Sequence, residues 1–324
     1  MILFIRYRLI LVFLLTIAGI TASAQQTPLY TQFMLNKYQF NPAYGGLDRS
    51  LCVTAGLRTQ WTQFEGAPIT QFINVHLPLY AIEGSVGLSI ENDRIGPVDR
   101  LMLSGSYNYV FESVVGLMSF GGRLGINQIN IDGSALRTPS GSYLDNTIFH
   151  NDPILLSTDM TGISPWWGIG LYLVNDLGEL GISMDNIPSN GFSSGATGFN
   201  PSQLLTFYLR SDFVVTDLIQ LSPSILLRSD FVHTQLDIGA LVYYEKVFGG
   251  VVLRGYNADS IDALNFIGGV QMSNNVRLSY SFDLGLSGLN NFHEGSHEFV
   301  VNYNLNKKIR TGEYPPIIYN PRYH

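Results

Sequence analysis

The feature that most constrains this chain is a period of two. Val276, Leu278, Tyr280 and Phe282 alternate with Arg277, Ser279, Ser281 and Asp283, and the run ends in turn residues. Successive strand side chains point to opposite faces, so the pattern puts apolar groups on one side and polar groups on the other. The same stripe returns along the whole chain in segments of about ten residues, the length of a tilted membrane strand. Repeated this often, it predicts an all-β fold: a transmembrane antiparallel β-barrel of about 14 strands.

Composition agrees with a lipid-facing wall. Charged residues make up 13% of the chain, against roughly 25% in an average soluble protein. The start reads as an export signal. Arg6 and Arg8 precede the apolar run Leu9–Ile20, and Ala22-Ser23-Ala24 fits cleavage before Gln25. That run is short of the roughly 20 residues a spanning helix needs. Cleavage would leave 300 of the 324 residues. With Arg6 and Arg8 gone from the 18 basic residues, 25 acidic ones leave a formal charge of −9, which argues against a nucleic-acid surface. The single Cys52 allows no internal disulfide. The expected organisation is signal peptide 1–24, N-terminal segment 25–50, barrel 51–306 and C-terminal tail 307–324.

The strands read as Leu51–Gln60, Thr70–Leu77, Ser85–Glu91, Leu101–Phe111, Leu117–Asn130, Trp166–Val174 and Leu180–Asp185 in the first half. Leu204–Phe213, Leu218–Arg228, Gln235–Tyr244, Val251–Tyr256, Ala263–Gln271, Val276–Leu284 and His297–Leu305 complete the set. Short turns such as Glu112–Gly116 alternate with longer connections such as Trp61–Ile69, Asn92–Arg100 and Ile131–Pro165. Short periplasmic turns and longer outer loops give that rhythm, and an even strand count leaves both ends in the periplasm. Pro223 is an irregularity, because it removes a ladder donor from its strand.

Charge then decides which face is which. Arg58, Arg123, Arg210, Arg228, Arg254 and Arg277 all fall on polar stripes. On lipid at mid-depth each would cost roughly 2–4 kcal/mol, so they are expected to face the lumen. Glu91, Asp212, Asp237 and Asp283 are expected to share it, either as a paired network or as the lining of a selective pore. Gln25–Ser50 is rich in aromatic and amide residues, including Tyr30 and Phe33, with Asn41-Pro42 marking a turn. It is expected to pack against or inside the barrel as a partial plug. Pro315-Pro316 and Pro321 make the tail extended. That tail either contacts a periplasmic partner or is passive. The first loop, with Gln60, Trp61, Phe64, Gly66 and Pro68, is either a partner-binding patch or a cap on the lumen. Trp166 and Trp167, beside the small Gly168 and Gly170, suit an interfacial aromatic belt.

Catalytic motifs are weak. Gly191-Phe192-Ser193-Ser194-Gly195 matches a nucleophile pattern but sits in a Gly/Ser-rich loop, not a strand-turn-helix. His293, Glu294 and His297 lack the helix and further ligands of a metal site. No enzyme activity, metal or cofactor is expected.

Several segments resemble the PorP/SprF family of Bacteroidetes outer-membrane proteins. QQTPLYTQFMLNKYQFNPAYGG (Gln25–Gly46) and RTQWTQFEGAPITQ (Arg58–Gln71) carry most of the likeness. GLSIENDRIGPV (Gly87–Val98), SFGGRLGINQINID (Ser119–Asp132), VRLSYSFDL (Val276–Leu284) and GSHEFVVNYNL (Gly295–Leu305) extend it. The resemblance implies an outer-membrane component of type IX secretion and, in gliding bacteria, of adhesin display. It implies a receptor or anchor for a secreted cargo, such as an adhesin held by its C-terminal domain, and contact with periplasmic parts of the machine. A passive channel for a small or hydrophobic solute is the alternative.

Overall fold

In a computed structural model, residues 28–79, 84–143, 148–151, 158–188, 202–255, 261–286, 288 and 294–307 are described. The first half of the wall runs β1 (Cys52–Thr59), β2 (Ile69–Leu79), β3 (Gly84–Ile95), β4 (Val98–Ser113), β5 (Gly116–Ile131), β6 (Met160–Asn175) and β7 (Gly178–Pro188). It continues with β8 (Leu204–Arg210), β9 (Phe213–Val214), β10 (Ile219–Ser229), β11 (Thr234–Tyr244), β12 (Val247–Arg254), β13 (Ala263–Gln271), β14 (Val276–Gly285) and β15 (Ser296–Asn304). Each strand pairs antiparallel with its neighbours, β1 pairs with β15, and β10 pairs with β11, so the sheet closes. β8 and β9 lie end to end along β10. The 15 segments therefore make a closed 14-stranded barrel.

Alternation sorts the side chains as the stripes require. Leu124 is 73% exposed and Leu88 60% on the outer wall, whereas Arg58 is 1% and Asp237 0% exposed within. An outer surface of this kind is stable only in lipid, and closure leaves no unpaired edge inside it.

Some boundaries differ from the sequence reading, for physical reasons. Asn92–Arg100 is not a loop: β3 and β4 pair through to Ile95↔Val98, leaving only Gly96-Pro97 between them. The polar residues there are cross-strand partners. Arg94 and Asp99 form an exposed pair at 2.6 Å, and Thr70 Oγ1 donates to buried Asp93 at 2.7 Å. Gly96 takes φ +53°, which fits a two-residue hairpin turn opening on glycine. β6 starts at Met160, six positions before the expected Trp166, and β12 starts at Val247 rather than Val251. Pro223 sits inside β10 without kinking it out of register. Its carbonyl accepts from Ser211 N–H, so its missing donor faces the Ser211-Asp212 break between β8 and β9.

Trp166 and Trp167 do not form one belt. As successive strand residues they face opposite ways: Trp167 is 40% exposed outside, and Trp166 is 3% exposed inside.

Candidate functional site

Residues 28–50 pack against inward-facing side chains of the wall through three sets of contacts. The first is an ion-pair network near the ends of β1, β12, β14 and β15. Arg58 reaches Asp283 at 2.6 Å and Glu298 at 3.1 Å, and Arg254 reaches Asp237 at 2.9 Å and Asp283 at 3.3 Å. Thr31 of the inner segment sits at its centre. Its hydroxyl donates to Asp283 at 2.7 Å and accepts from Arg58 and Arg254 at 3.1 Å, while its N–H donates to Glu298 at 2.8 Å. The Gln32 side-chain Nε2 donates a hydrogen bond to the Glu298 backbone carbonyl at 2.9 Å. Each charge has an opposite partner and further hydrogen bonds, the condition under which buried charge is tolerated.

Aromatic packing fixes the segment sideways. Phe33, Met34 and Tyr38 are at most 1% exposed, and Tyr30 packs edge-on against Phe72 of β2 with ring centres 5.1 Å apart. The Tyr30 hydroxyl donates to Glu91 at 2.6 Å. Arg123 donates to the carbonyls of Tyr38 and Gln39 at 2.6 and 3.2 Å.

The third set of contacts is at the turn Asn41-Pro42-Ala43. The Asn41 side chain accepts from Ala43 N–H at 2.9 Å and donates to the carbonyls of Leu171 and Ile182 at 2.9 and 3.1 Å. It lies so close to the wall that a Cβ on Gly170 would sit 2.1 Å from Asn41 Oδ1, and one on Gly121 2.7 Å from Ala43 N. The sequence reading placed Gly170 on the wall for another reason and missed this contact. Nearby, Lys37 meets Glu179 at 2.6 Å, and the Tyr172 hydroxyl donates to the same carboxylate at 2.6 Å.

The expected lumen charges thus divide. Arg58, Arg254 and Asp283 share one network. Arg123 and Arg228 instead hold the inner segment's backbone, Arg228 through the Pro28 carbonyl at 3.1 Å. Arg210 pairs with Asp212 at 2.9 Å at the β8–β9 break. Arg277 stands apart and half-buried, donating to Gln271 at 3.0 Å. Thr31, Glu298 and the Lys37–Glu179 pair were missed. Glu298 was visible in principle, because it shares a polar stripe with Ser296.

The first loop is bonded to the hairpins on either side. Gln60 N–H donates to the Pro68 carbonyl, Gly96 N–H to the Gly66 carbonyl, and Thr62 N–H to the Gly295 carbonyl, each at 2.9 Å. Phe64 is 50% exposed, Gly66 is also exposed, and Gln60, Trp61 and Pro68 are partly buried.

Among the described residues, one cluster has metal-ligand chemistry. Atoms of Asp48, Cys52 and His76 lie within 4.8 Å of one another. However, His76 Nδ1 accepts from Gly46 N–H at 3.1 Å, which puts the ring proton on Nε2, facing Asp48 at 3.8 Å. That tautomer leaves no lone pair on Nε2 for a metal. Of the other motifs, His297 Nδ1 pairs with the Tyr280 hydroxyl at 2.7 Å. Gly191–Gly195, His293, the leader 1–24 and residues 308–324 of the tail lie outside the described residues.

Comparison with known proteins decides the family. Residues 22–303 match the type IX secretion system membrane protein family PorP/SprF. The chain belongs to that family. No curated protein sequence matches it. Among solved structures, it is similar to the Ralstonia pickettii toluene transporter TbuX, with TM-score 0.51 and 11% identity over 82% of this chain and 92% of that one. The CymD monoaromatic hydrocarbon channel gives TM-score 0.49 at 12% identity, over 90% of this chain and 96% of that one. At such identities the likeness concerns the fold alone. This PorP/SprF protein is an outer-membrane β-barrel of type IX secretion.

Proposed function

We propose that this barrel is a receptor and anchor for a secreted cargo protein, such as an adhesin, and not the conduit through which that cargo passes. The observation that carries this reading is the interior. Thr31 is clasped by Arg58, Arg254, Asp283 and Glu298. Removing the segment would leave those charges paired with one another but take from them the Thr31 hydroxyl and N–H, a cost of about 1–3 kcal/mol for each charged group left short of a hydrogen bond. A path for a polypeptide would require that network to open. Cargo would then be held at the outer rim, where the loop with Phe64 presents an aromatic side chain on a bonded frame. Family membership supports the secretion context. Surface attachment in gliding, and contact with periplasmic parts of the machine, belong to the same proposal.

The test is affinity capture of the tagged full chain from detergent-solubilised outer membranes, followed by mass spectrometry. Recovery of a large secreted protein through its C-terminal domain is the expected result. A barrel recovered alone, from cells that export normally, would overturn the receptor reading and favour a solute channel.

A further inference from the structure

A second polar site lies between the inner segment and the wall. Its cavity, of about 60 Å³, is lined by Pro28, Tyr30 and Phe40 of the segment and by Trp166, Asp185, Asn186, Arg228, Arg123 and Glu91 of the wall.

Three observations mark it as a built site. The first is loose pairing. The network around Thr31 has contacts of 2.6 and 2.9 Å, whereas Arg123–Asp185 is 4.0 Å, Arg228–Asp237 is 3.9 Å and Arg100–Glu91, whose Glu91 lines the cavity, is 3.7 Å. The second is orphaned polarity. Arg123 Nε, Arg228 Nε and Nη2, Arg100 Nε and Nη2 and Trp166 Nε1 have no hydrogen-bond partner among the described residues, nor do Asp185 Oδ1 and Asn186 Oδ1. All six residues are buried, from 3% exposed at Trp166 and Asn186 to 7% at Arg100 and Asp185. Buried groups of this kind are ordinarily satisfied.

The third is a backbone device. β6 and β7 shift register between Trp167 and Ile169, so Asp185 and Asn186 together oppose one residue. Asn186 takes φ +57°, a left-handed conformation that favours glycine. The result is that two successive residues are both buried against the lumen, which regular pleating forbids. Bulges and positive φ in non-glycine residues concentrate where a side chain must be aimed.

Among the lining residues, unpartnered donor atoms outnumber unpartnered acceptors by four to two: Arg123 Nε, Arg228 Nε and Nη2 and Trp166 Nε1 against Asp185 Oδ1 and Asn186 Oδ1. We propose that this pocket is an anion site that takes a carboxylate, supplied by a small free acid or by the carboxyl terminus of a peptide. The guanidinium groups and the Trp166 indole N–H would supply the donors, in the geometry that suits a two-oxygen acceptor. The proposal stands independently of the cargo-receptor reading.

The protein has three tryptophans, so Trp61→Phe with Trp167→Phe leaves Trp166 as the only indole. Its fluorescence would be followed on titration with acetate, with chloride at matched ionic strength, and with N-acetyl-glycylglycine as acid and as amide. The expected result is saturation with acetate but not chloride, weakened about tenfold by Arg228→Lys, which keeps the charge and loses the fork. Saturation by the peptide acid as well assigns the site to a chain terminus; saturation by acetate alone assigns it to a small acid. An acetate response no different from chloride, or equal responses to acid and amide, would overturn the proposal and leave a water-filled cavity. The acetate and chloride comparison needs no lumen variant, so misfolding of Arg228→Lys cannot rescue or sink it.

Discussion

Arg58 shows what a single side chain does in this wall. At 1% exposure it touches two carboxylates and the Thr31 hydroxyl, joining β1, β14, β15 and the inner segment. Arg58→Ala would leave Asp283 and Glu298 short of a partner. The expected loss is about 3–5 kcal/mol, read as a lower temperature at which the compact barrel band converts to unfolded mobility on gels. Thr31→Val is the milder counterpart: it keeps the shape and removes one hydroxyl that serves three charged groups. A smaller downward shift is expected, of about 1–3 kcal/mol. The sequence made the arginine stripe legible, because lipid forbids the opposite face. It did not make the partners legible: Thr31 and Glu298 stand 267 positions apart, and only closure of the barrel brings them together. Trp166 and Trp167 show the same limit, since a pair chosen for its chemistry is split by the pleat.

Among elements, the inner turn Asn41-Pro42-Ala43 depends on glycine in the wall. Gly170→Val would drive side-chain atoms into the space of Asn41. Overpacking of this kind costs about 1–3 kcal/mol. The expected outcome is a barrel that still assembles but whose residues 28–50 become more open to protease. Unchanged protection would separate the segment from this contact. The β3–β4 hairpin shows why a polar stretch read as a loop: Asn92, Asp93 and Arg94 with Gly96-Pro97 carry turn composition, yet cross-strand pairing outweighs it. On the rim, Trp61→Ala tests the first loop. Loss of cargo retention with normal heat-modifiability is expected, and unchanged retention would remove this loop from the receptor reading. The loop's composition was readable in advance, whereas its bonds to Gly96 and Gly295 depend on neighbouring hairpins and were not.

For the whole molecule, period-two alternation, low charge and turn spacing were enough to read a closed barrel of 14 strands, because each of those signals is imposed by lipid. What fills the interior was harder to read. Residues 28–50 have no repeating period, since their partners come from strands all around the wall. The most direct measurement of the central claim is therefore steady-state conductance of the purified full chain in a planar bilayer. A silent bilayer is expected for the unaltered protein, with Thr31 held across the lumen by hydrogen bonds to Arg58, Arg254, Asp283 and Glu298. A stable, reproducible open-channel current from the same protein would contradict it.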